Sequence, residues 1–384
     1  MWKKILGQSK VIENLKSVFK SNKIAHAYLF HGTDGVGKDA AAVEYAKLLN
    51  CLNPINNEEA CDKCESCIKI SEFRSEYFHF ICALPSGKSE QTDSDPIEKL
   101  SSSDFETYLE QLRLKSQNPY HRVNIPNANN IRINSIRELT SKIYLSAGRK
   151  TKKVFLISEA DKMKQEASNA LLKVLEEPPK NSVIILTTSK INTLPQTVVG
   201  RCQKIYFEPL PEQLISNKLT ELNNSAEFDQ KYTQHDISLA SKLSGGSYSR
   251  AASLLKMGIE DIRKLAINFL VAVLKDNFAE TVSIVRSVSS KNDKEKVKYF
   301  LFFLSTWFND LLKIRNSGEN TEIKITNFDV IDRVSAFNKN FPMTDLFKAI
   351  IALEEAEKLI YQNVQLQMIL LNLSFKLKRF IKPA

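Results

Sequence analysis

Glycine and proline are scarce in this chain of 384 residues, which holds 11 glycines and 12 prolines. Chains that stay disordered are poor in apolar residues, whereas 43% of this sequence is apolar and 26% is charged. These proportions argue against disorder and predict a folded, helix-rich protein. A chain of this length predicts two or three domains.

Long apolar runs are also missing from the sequence. No stretch of about 18 apolar residues occurs that could cross a membrane, and the opening residues MWKKILGQ lack the apolar core of a secretion signal. We therefore expect a cytoplasmic protein without membrane contact. Because the cytoplasm is reducing, we expect the six cysteines to bind metal or to be buried, and not to form disulfides.

Basic residues outnumber acidic ones, and the formal net charge is +10 at pH 7. A positive balance favours polyanionic partners such as DNA, because it raises their local concentration at the protein surface. A generally basic proteome gives the same balance. The charge therefore bears on the partners of the protein and leaves its fold open.

Short apolar runs in the first half of the chain alternate with stretches of helical periodicity. Residues 27–30, 154–157 and 183–186 are apolar almost throughout, as expected of strands buried on both faces of a parallel sheet. Residues 204–207 are a further candidate strand. The pattern predicts an α/β domain over residues 1–208, in which a parallel sheet is flanked by helices.

The second half of the chain has no convincing strand after Pro211. Its strongest break is Gly245-Gly246-Ser247, after which helical periodicity resumes. We predict a small all-helical domain over residues 209–257 and a second all-helical domain over residues 258–384.

The segment at about 85–130 interrupts the alternation within the first half. It is polar, with proline, serine, asparagine and aspartate throughout. We predict a surface insertion with one helix around residues 105–114, and the sequence assigns it no chemistry.

A glycine-rich loop, HGTDGVGK, follows the first predicted strand and precedes a helical run. Strand, loop and helix in this order direct backbone N–H groups and a helix N-terminus at one point, which is how proteins bind polyphosphates. The residues expected to contact phosphate are Gly32, Gly35, Gly37 and Lys38.

Two residues that the chemistry of such a loop requires are missing. Asp39 follows the lysine, where a serine or threonine hydroxyl binds the magnesium ion of a nucleotide. Ser158 stands at the end of the strand at 154–157, where an aspartate orients the same ion. Glu159 and Asp161 remain, although acids are also common at a solvated helix N-terminus. We expect no ATP hydrolysis, and the loop is either a relic kept for packing or a residual nucleotide site.

Four cysteines follow the loop's helix in the spacing C-x9-C-x2-C-x2-C. The short gaps bring thiolates to one ion and the long gap closes the loop, which is typical of a structural zinc site without an open coordination position. The alternatives are an iron–sulfur cluster and unligated thiols, and Cys82 and Cys202 are expected to be small buried residues. Lys63 is the only basic residue between these cysteines, which counts against direct DNA contact. The predicted ligands are Cys51, Cys61, Cys64 and Cys67.

These motifs together resemble the clamp-loader branch of the AAA+ ATPases, and within it the non-hydrolysing delta-prime subunits of bacterial DNA polymerase III. The resemblance lies in the cysteine insertion after the loop's helix and in four segments. These are LGQ at 6–8, AHAYLF at 25–30, NALLKVLEEPP at 169–179 and LPQTVVGRC at 194–202. The resemblance implies an AAA+ domain with a phosphate loop and a zinc-binding excursion at 51–67, then an all-α lid domain and an all-α collar domain that holds a ring together.

The same resemblance assigns roles to two arginines. In the family, an arginine placed like Arg201 reaches the nucleotide site of the neighbouring subunit, although Gly200 here replaces the usual serine. Arg250 matches the lid arginine that senses nucleotide in active relatives. The alternatives are a surface arginine at 201 and a vestigial or ion-paired arginine at 250.

The resemblance implies a non-hydrolysing subunit that helps to load the sliding clamp onto primed DNA, as part of the DNA polymerase III holoenzyme. Its partners would be the gamma/tau and delta subunits, the beta clamp and primed DNA. Structural Zn²⁺ is the expected cofactor, and ATP binding by this chain is left open. The alternative is an active ATPase subunit of the gamma/tau type, or a related AAA+ motor that acts on DNA.

Overall fold

The computed structural model describes residues 2–85, 95–145, 151–225, 230–290, 293–316, 325–360, 362 and 364–382. The chain forms two compact units. Unit 1 consists of residues 1–229 and 244–251, and unit 2 of residues 230–243 and 252–384. The predicted boundaries at residues 208 and 257 stay predictions.

Unit 1 is built on a five-stranded sheet in which every pair of neighbours is parallel. The spatial order is β2-β3-β4-β1-β5, so that β2 and β5 form the edges. Strands β3 and β4 are buried along their whole length, because both faces of the sheet are covered. The strands are β1 Ala27–Gly32, β2 Phe78–Ile81, β3 Lys153–Ile157, β4 Ser182–Thr188 and β5 Gln203–Phe207. The predicted α/β class is confirmed.

Eight α-helices of unit 1 accompany the described strands. Local sequence explains where several of them begin and end. The Ser101 hydroxyl caps α4 by accepting from the Asp104 N–H, and Pro178-Pro179 follow the end of α6. The helices are α1 Ser9–Lys20, α2 Lys38–Asn50, α3 Glu65–Ser71, α4 Ser102–Gln117, α5 Ile133–Tyr144, α6 Gln165–Glu176, α7 Gln196–Val199 and α8 Glu212–Asn224.

The predicted insertion at 85–130 is organised around α4, which is longer than the predicted helix at 105–114. Tyr108 of α4 packs in a small apolar cluster with Cys82, Leu84 and Ile125. This cluster fixes the helix to the sheet. Residues 86–94 of the insertion lie outside the described residues.

The part of unit 2 that the structure describes contains helices and no strand, which agrees with the predicted all-helical second half. Its ionic core joins Arg263 to Asp329 and Asn327, and Asp310 to the Asn327 amide. Within the described ranges no helix has the length and apolar character needed to cross a bilayer. The remaining helices are α9 Gln234–Leu243, α10 Tyr248–Lys256, α11 Ile259–Leu274, α12 Phe278–Val288, α13 Lys294–Asn316, α14 Ile331–Asn340, α15 Leu346–Ile360 and α16 Leu366–Ile381, of which α10 begins in unit 1.

Candidate functional site

The glycine-rich loop connects the end of β1 to the start of α2, as its sequence predicts. Gly35 and Gly37 have φ angles of +73° and +100°, which side chains with a Cβ rarely adopt. A Cβ at Gly37 would lie 2.9 Å from the Tyr120 hydroxyl, and one at Gly35 would lie 2.8 Å from the Ser249 Cβ. These glycines therefore let other parts of unit 1 pack directly against the loop.

Lys38 turns back onto its own loop. Its ammonium group donates to the backbone carbonyls of Gly32, at 2.9 Å, and Thr33, at 2.7 Å. The side chain is buried, and burial lowers its pKa. In an active phosphate loop the corresponding ammonium group binds the terminal phosphates. Here backbone carbonyls of the protein already accept its hydrogen bonds.

Both carboxylate oxygens of Asp39 accept hydrogen bonds from the protein. Oδ2 accepts from Lys115 Nζ at 3.0 Å and from Ser158 Oγ at 2.7 Å, while Oδ1 accepts from Thr187 Oγ1 at 2.7 Å. Burial acts to raise the pKa of Asp39, but the Lys115 ammonium and these hydrogen bonds outweigh it and lower the pKa to about 2. Asp39 is therefore an ionised, fully bonded carboxylate where a magnesium-binding hydroxyl would stand.

Lys115 delivers a fixed positive charge to this carboxylate. Only 4% of the residue is exposed, and its ammonium also donates to the His121 carbonyl at 2.9 Å and lies over the Phe80 ring at 5.6 Å. The lysine belongs to α4, so the polar insertion supplies the counterion of Asp39. One weak signal for Lys115 was present in the sequence, since this lysine shares a helical face with the apolar residues Tyr108 and Leu112.

The two acidic residues after β3 are also engaged. Glu159, at a left-handed φ of +53°, pairs with Arg122 of the insertion and with Lys162 at 2.8 Å. Asp161 accepts from Thr188 Oγ1 at 2.6 Å. Both carboxylates are therefore bound by other groups of the protein. In an active site, one of them would instead face the attacking water molecule.

The space left beside the loop is small. The cavity lined by Gly37, Lys38, Asp39 and Lys115 has a volume of about 70 Å³, against roughly 300–1,000 Å³ for small-molecule sites. Tyr120 forms part of its wall and is held in place there, because its hydroxyl accepts from the Leu6 N–H at 2.7 Å. Sequence reasoning missed Lys115, Tyr120 and Arg122, since nothing in their spacing connects them to the loop.

The four predicted metal-binding cysteines converge at the end of α2 and the start of α3. Their sulfur atoms all lie within 4.8 Å of one another, and those of Cys61 and Cys67 are 4.0 Å apart. Backbone N–H groups of Cys61 and Cys64 donate to the sulfurs of Cys51 and Cys61, and donation from the backbone of Lys63 and Cys64 lowers the pKa of Cys61 to about 6. The donor set fits one metal ion. Four protein ligands would close its coordination shell and give it a structural role.

The cysteine module, residues 51–67, is tied to the helices beside it. Buried Lys47 of α2 pairs with Glu44 and with Asp62 of the module, each at 2.6 Å. Lys16 of α1 pairs with Glu59 of the module at 2.9 Å. The module is thereby fixed to unit 1 on the side of the N-terminal helices.

Arg201 lies between α7 and β5. Its guanidinium donates to the Thr197 carbonyl at 2.9 Å and pairs with Glu176, at the end of α6, at 2.6 Å. More than a third of the side chain, 37%, is exposed. The arginine is therefore at the surface of unit 1, away from the residues that line the loop cavity.

Arg250 lies at the start of α10. Its backbone N–H donates to Ser247 Oγ at 3.1 Å and its guanidinium to the Ser244 carbonyl at 3.2 Å. Among the described residues, Ser249 lines the loop cavity and Arg250 does not. Of the predicted site residues, Lys38 and Asp39 therefore line the loop cavity together with residues of the insertion. Arg201 and Arg250 do not line it.

Comparison with known proteins gives one family match. The family described as DNA polymerase III, delta subunit, matches residues 7–211. The chain is 25% identical to the delta' subunit of DNA polymerase III from Bacillus subtilis, over 94% of this chain and 93% of that protein. It is 28% identical to the tau subunit from Bacillus subtilis, over 70% of this chain and 40% of that protein.

The first curated relatives are longer than this chain, which spans between 40% and 57% of the length of the first three. Among solved structures, the chain is similar to a DNA polymerase III gamma subunit-related protein from Thermotoga maritima. That similarity has a TM-score of 0.38 and 14% identity, and covers 97% of this chain and 99% of the other.

Proposed function

The chain belongs to the DNA polymerase III, delta subunit family, and from that premise we propose that it is a clamp-loader subunit that does not hydrolyse ATP. The resemblance of its sequence motifs to this family is confirmed. Relatives named tau, gamma and delta' all match this chain. The choice of a delta-prime role therefore depends on the chemistry of the loop.

The ion pair between Asp39 and Lys115 is the observation that carries this proposal. Phosphoryl transfer needs a divalent cation that bridges the terminal phosphates. An ammonium group and two hydroxyl groups already donate hydrogen bonds to the carboxylate oxygens of Asp39. A magnesium ion would have to displace Lys115, which would leave two cations facing each other in a largely buried place.

A second argument is the space available for nucleotide. Tyr120 forms part of the cavity wall, and the Lys38 ammonium group is already bound by two carbonyls of its own loop. A triphosphate would have to displace both groups at once. We therefore propose that the loop serves packing, because Tyr120 of the insertion lies directly against Gly37, and Ser249 lies directly against Gly35.

Arg201 is proposed to act in trans on the nucleotide of a neighbouring subunit. Its ion pair with Glu176 is partly exposed, and exposed pairs contribute only about 0–1 kcal/mol. A phosphate of a neighbour can replace Glu176 at low cost, because guanidinium binds both groups in the same bidentate geometry. Such an arginine stabilises the charge that develops in phosphoryl transfer.

Residues 258–384, which belong to unit 2, are proposed to be the collar that holds the subunit in a ring. Phe347 and Ile351 are 66% and 53% exposed and lie four residues apart on α15, so they share one face. Met368 and Phe375 of α16 are similarly exposed and lie seven residues apart. Exposed apolar faces of this kind are typical of surfaces that bind other proteins. The proposed partners are gamma/tau and delta subunits, with the clamp and primed DNA as the targets of the assembly.

The proposal is tested by measuring ATP turnover and nucleotide binding by the isolated, metal-loaded chain. We expect no magnesium-dependent hydrolysis, and no saturable binding of a fluorescent ATP analogue at micromolar concentrations. Robust turnover by the monomer would instead support an active subunit of the gamma/tau type.

A further inference from the structure

A second cavity of unit 1 lies beside the edge strand β2, between α4 and α5, and has a volume of about 400 Å³. This is within the range of small-molecule sites, roughly 300–1,000 Å³. It shares no lining residue with the loop cavity. We propose that it binds a neutral heteroaromatic molecule about the size of a nucleoside, a property that does not depend on the proposed clamp-loader function.

Six of the nineteen residues that line this cavity have aromatic rings. Ring contacts favour edge-to-face or offset stacking, so they select flat partners. The His79 ring is stacked on Phe155, with centroids 4.7 Å apart, while Phe73 meets Phe80 edge-on at 5.3 Å. A flat ligand can contact several of these rings at once. The aromatic lining residues are Phe73, Phe78, His79, Phe80, Tyr108 and Phe155.

A buried hydroxyl in the same wall has no partner. Ser135, on α5, is 6% exposed, and its Oγ makes no hydrogen bond to any residue that the structure describes. Leaving a buried hydroxyl unpaired is unfavourable, because it has lost its hydrogen bonds to water, so such groups normally have a partner. A ligand atom that accepts from this hydroxyl would remove the cost, which a pure hydrocarbon cannot do.

The backbone of β2 offers further hydrogen-bonding groups. The carbonyls of Tyr77 and Ile81 accept from Val154 and Ser158 at the β3 side. Because alternate residues of a parallel strand face opposite neighbours, the N–H and carbonyl of Phe80 face the side of β2 on which no described strand pairs. Ring nitrogens and exocyclic amines are groups that bind such an edge, and this favours a heteroaromatic ligand.

The charges that line the cavity cancel. Arg74 and Lys142 are balanced by Glu76 and Glu138. Lys142 pairs with Glu138 and lies 3.7 Å from Asp95, and Arg74 pairs with Glu72. Burial, with Lys142 and Lys153 nearby, lowers the pKa of His79 to about 4, so its ring is neutral at pH 7. An ionic ligand would lose hydration without gaining a counterion, whereas a neutral one loses little.

The test uses the full-length, metal-loaded chain and adenosine as the neutral probe, with binding followed by calorimetry and by the NMR signals of the His79 ring. We expect saturable binding at millimolar or lower concentration that shifts the His79 signals. Ser135→Ala should weaken adenosine binding about 2- to 10-fold, the range of one neutral hydrogen bond.

Ser168→Ala is the matched control. The Ser168 hydroxyl is also buried and without a partner among the described residues, but it does not line the cavity. The control should bind adenosine like the wild type, and both variants should keep the wild-type unfolding midpoint within a few degrees. Toluene, which cannot accept a hydrogen bond in the plane of its ring, should not distinguish Ser135→Ala from the wild type.

Three results would overturn the proposal. The first is no saturable adenosine binding at millimolar concentration. The second is an equal adenosine affinity for Ser135→Ala and Ser168→Ala. The third is tighter binding of adenosine 5′-monophosphate than of adenosine with the same shift of His79, because it would show that the cavity selects an anion.

Discussion

At the scale of single residues, two substitutions relative to an active phosphate loop have become part of one hydrogen-bonded group. Ser158 donates to Asp39, and Lys115 compensates its charge. An aspartate without a counterion would repel a polyphosphate beside it, because both groups are negatively charged. With Lys115 in place it is a buried, neutralised pair, which is costly to break from either side.

Removing the lysine should therefore destabilise unit 1. Lys115→Ala leaves the Asp39 carboxylate largely buried with only two hydroxyl donors, and we expect the free energy of unfolding to fall by roughly 2–4 kcal/mol. Urea denaturation at pH 7 measures this change. Arg113→Ala is the control, since Arg113 lies on the same helix in an exposed pair with Glu110, and its removal should leave the free energy of unfolding almost unchanged. An equal loss in both variants would contradict the role of Lys115.

At the scale of elements, the cysteine module joins the end of α2 to β2 through α3. Phe73, just after α3, has a left-handed φ of +58° and donates its N–H to the Ile70 carbonyl. The ring of Phe73 then packs against Phe78 and Phe80. Phe73 therefore connects α3, which contains Cys67, to the edge strand β2. A metal ion bound by Cys64 and Cys67 would fix the start of this helix.

We predict that the purified chain carries close to one equivalent of zinc, because four converging thiolates form a complete tetrahedral shell. Cys64→Ser should lose most of that zinc and lower the thermal unfolding midpoint, since binding free energy is also folding free energy. Metal analysis and thermal denaturation provide the two readouts. Cys202→Ala, outside the cluster, should keep its zinc. Less than half an equivalent in wild-type protein prepared without chelator would count against the site.

At the scale of the whole molecule, unit 1 is proposed to serve a neighbour's nucleotide and unit 2 to provide the ring contacts. A chain that cannot position a magnesium ion can still contribute to catalysis when its own surface completes another active site. This proposal requires that Arg201 be exposed and that helices of unit 2 present exposed apolar side chains. Arg201 is exposed, and so are apolar residues of α15 and α16.

Arg201→Ala should lower the DNA-stimulated ATPase rate of an assembly reconstituted with gamma/tau and delta subunits. Loss of a trans arginine typically reduces turnover at the affected site by about 10³- to 10⁵-fold. That site should therefore contribute almost nothing to the ATPase rate of the assembly. Arg113→Ala is the control, because Arg113 is also exposed and also paired with a glutamate. Gel filtration should show that both variants still assemble. An unchanged rate in an intact assembly would contradict the proposed role.

The sequence by itself determined the features that are local in the chain. The order of strand, glycine loop and helix, the exchange of a hydroxyl for Asp39, and the cysteine spacing all lie within short segments. Short-range patterns decide which groups converge there. They predicted the strands β1, β3, β4 and β5, the glycine loop and the cysteine cluster, whereas the edge strand β2 was not predicted. The sequence also shows directly that Asp39 and Ser158 stand where an active phosphate loop has magnesium-binding residues.

Only the tertiary structure decided what fills the loop. Lys115 is 76 residues from Asp39 in the chain, and Thr187 is 148 residues away. Their meeting depends on how the Tyr108 cluster docks α4 on the sheet and on where β4 ends, and no local spacing encodes either. The cavity beside β2 has the same origin, because its walls come from segments that only packing brings together.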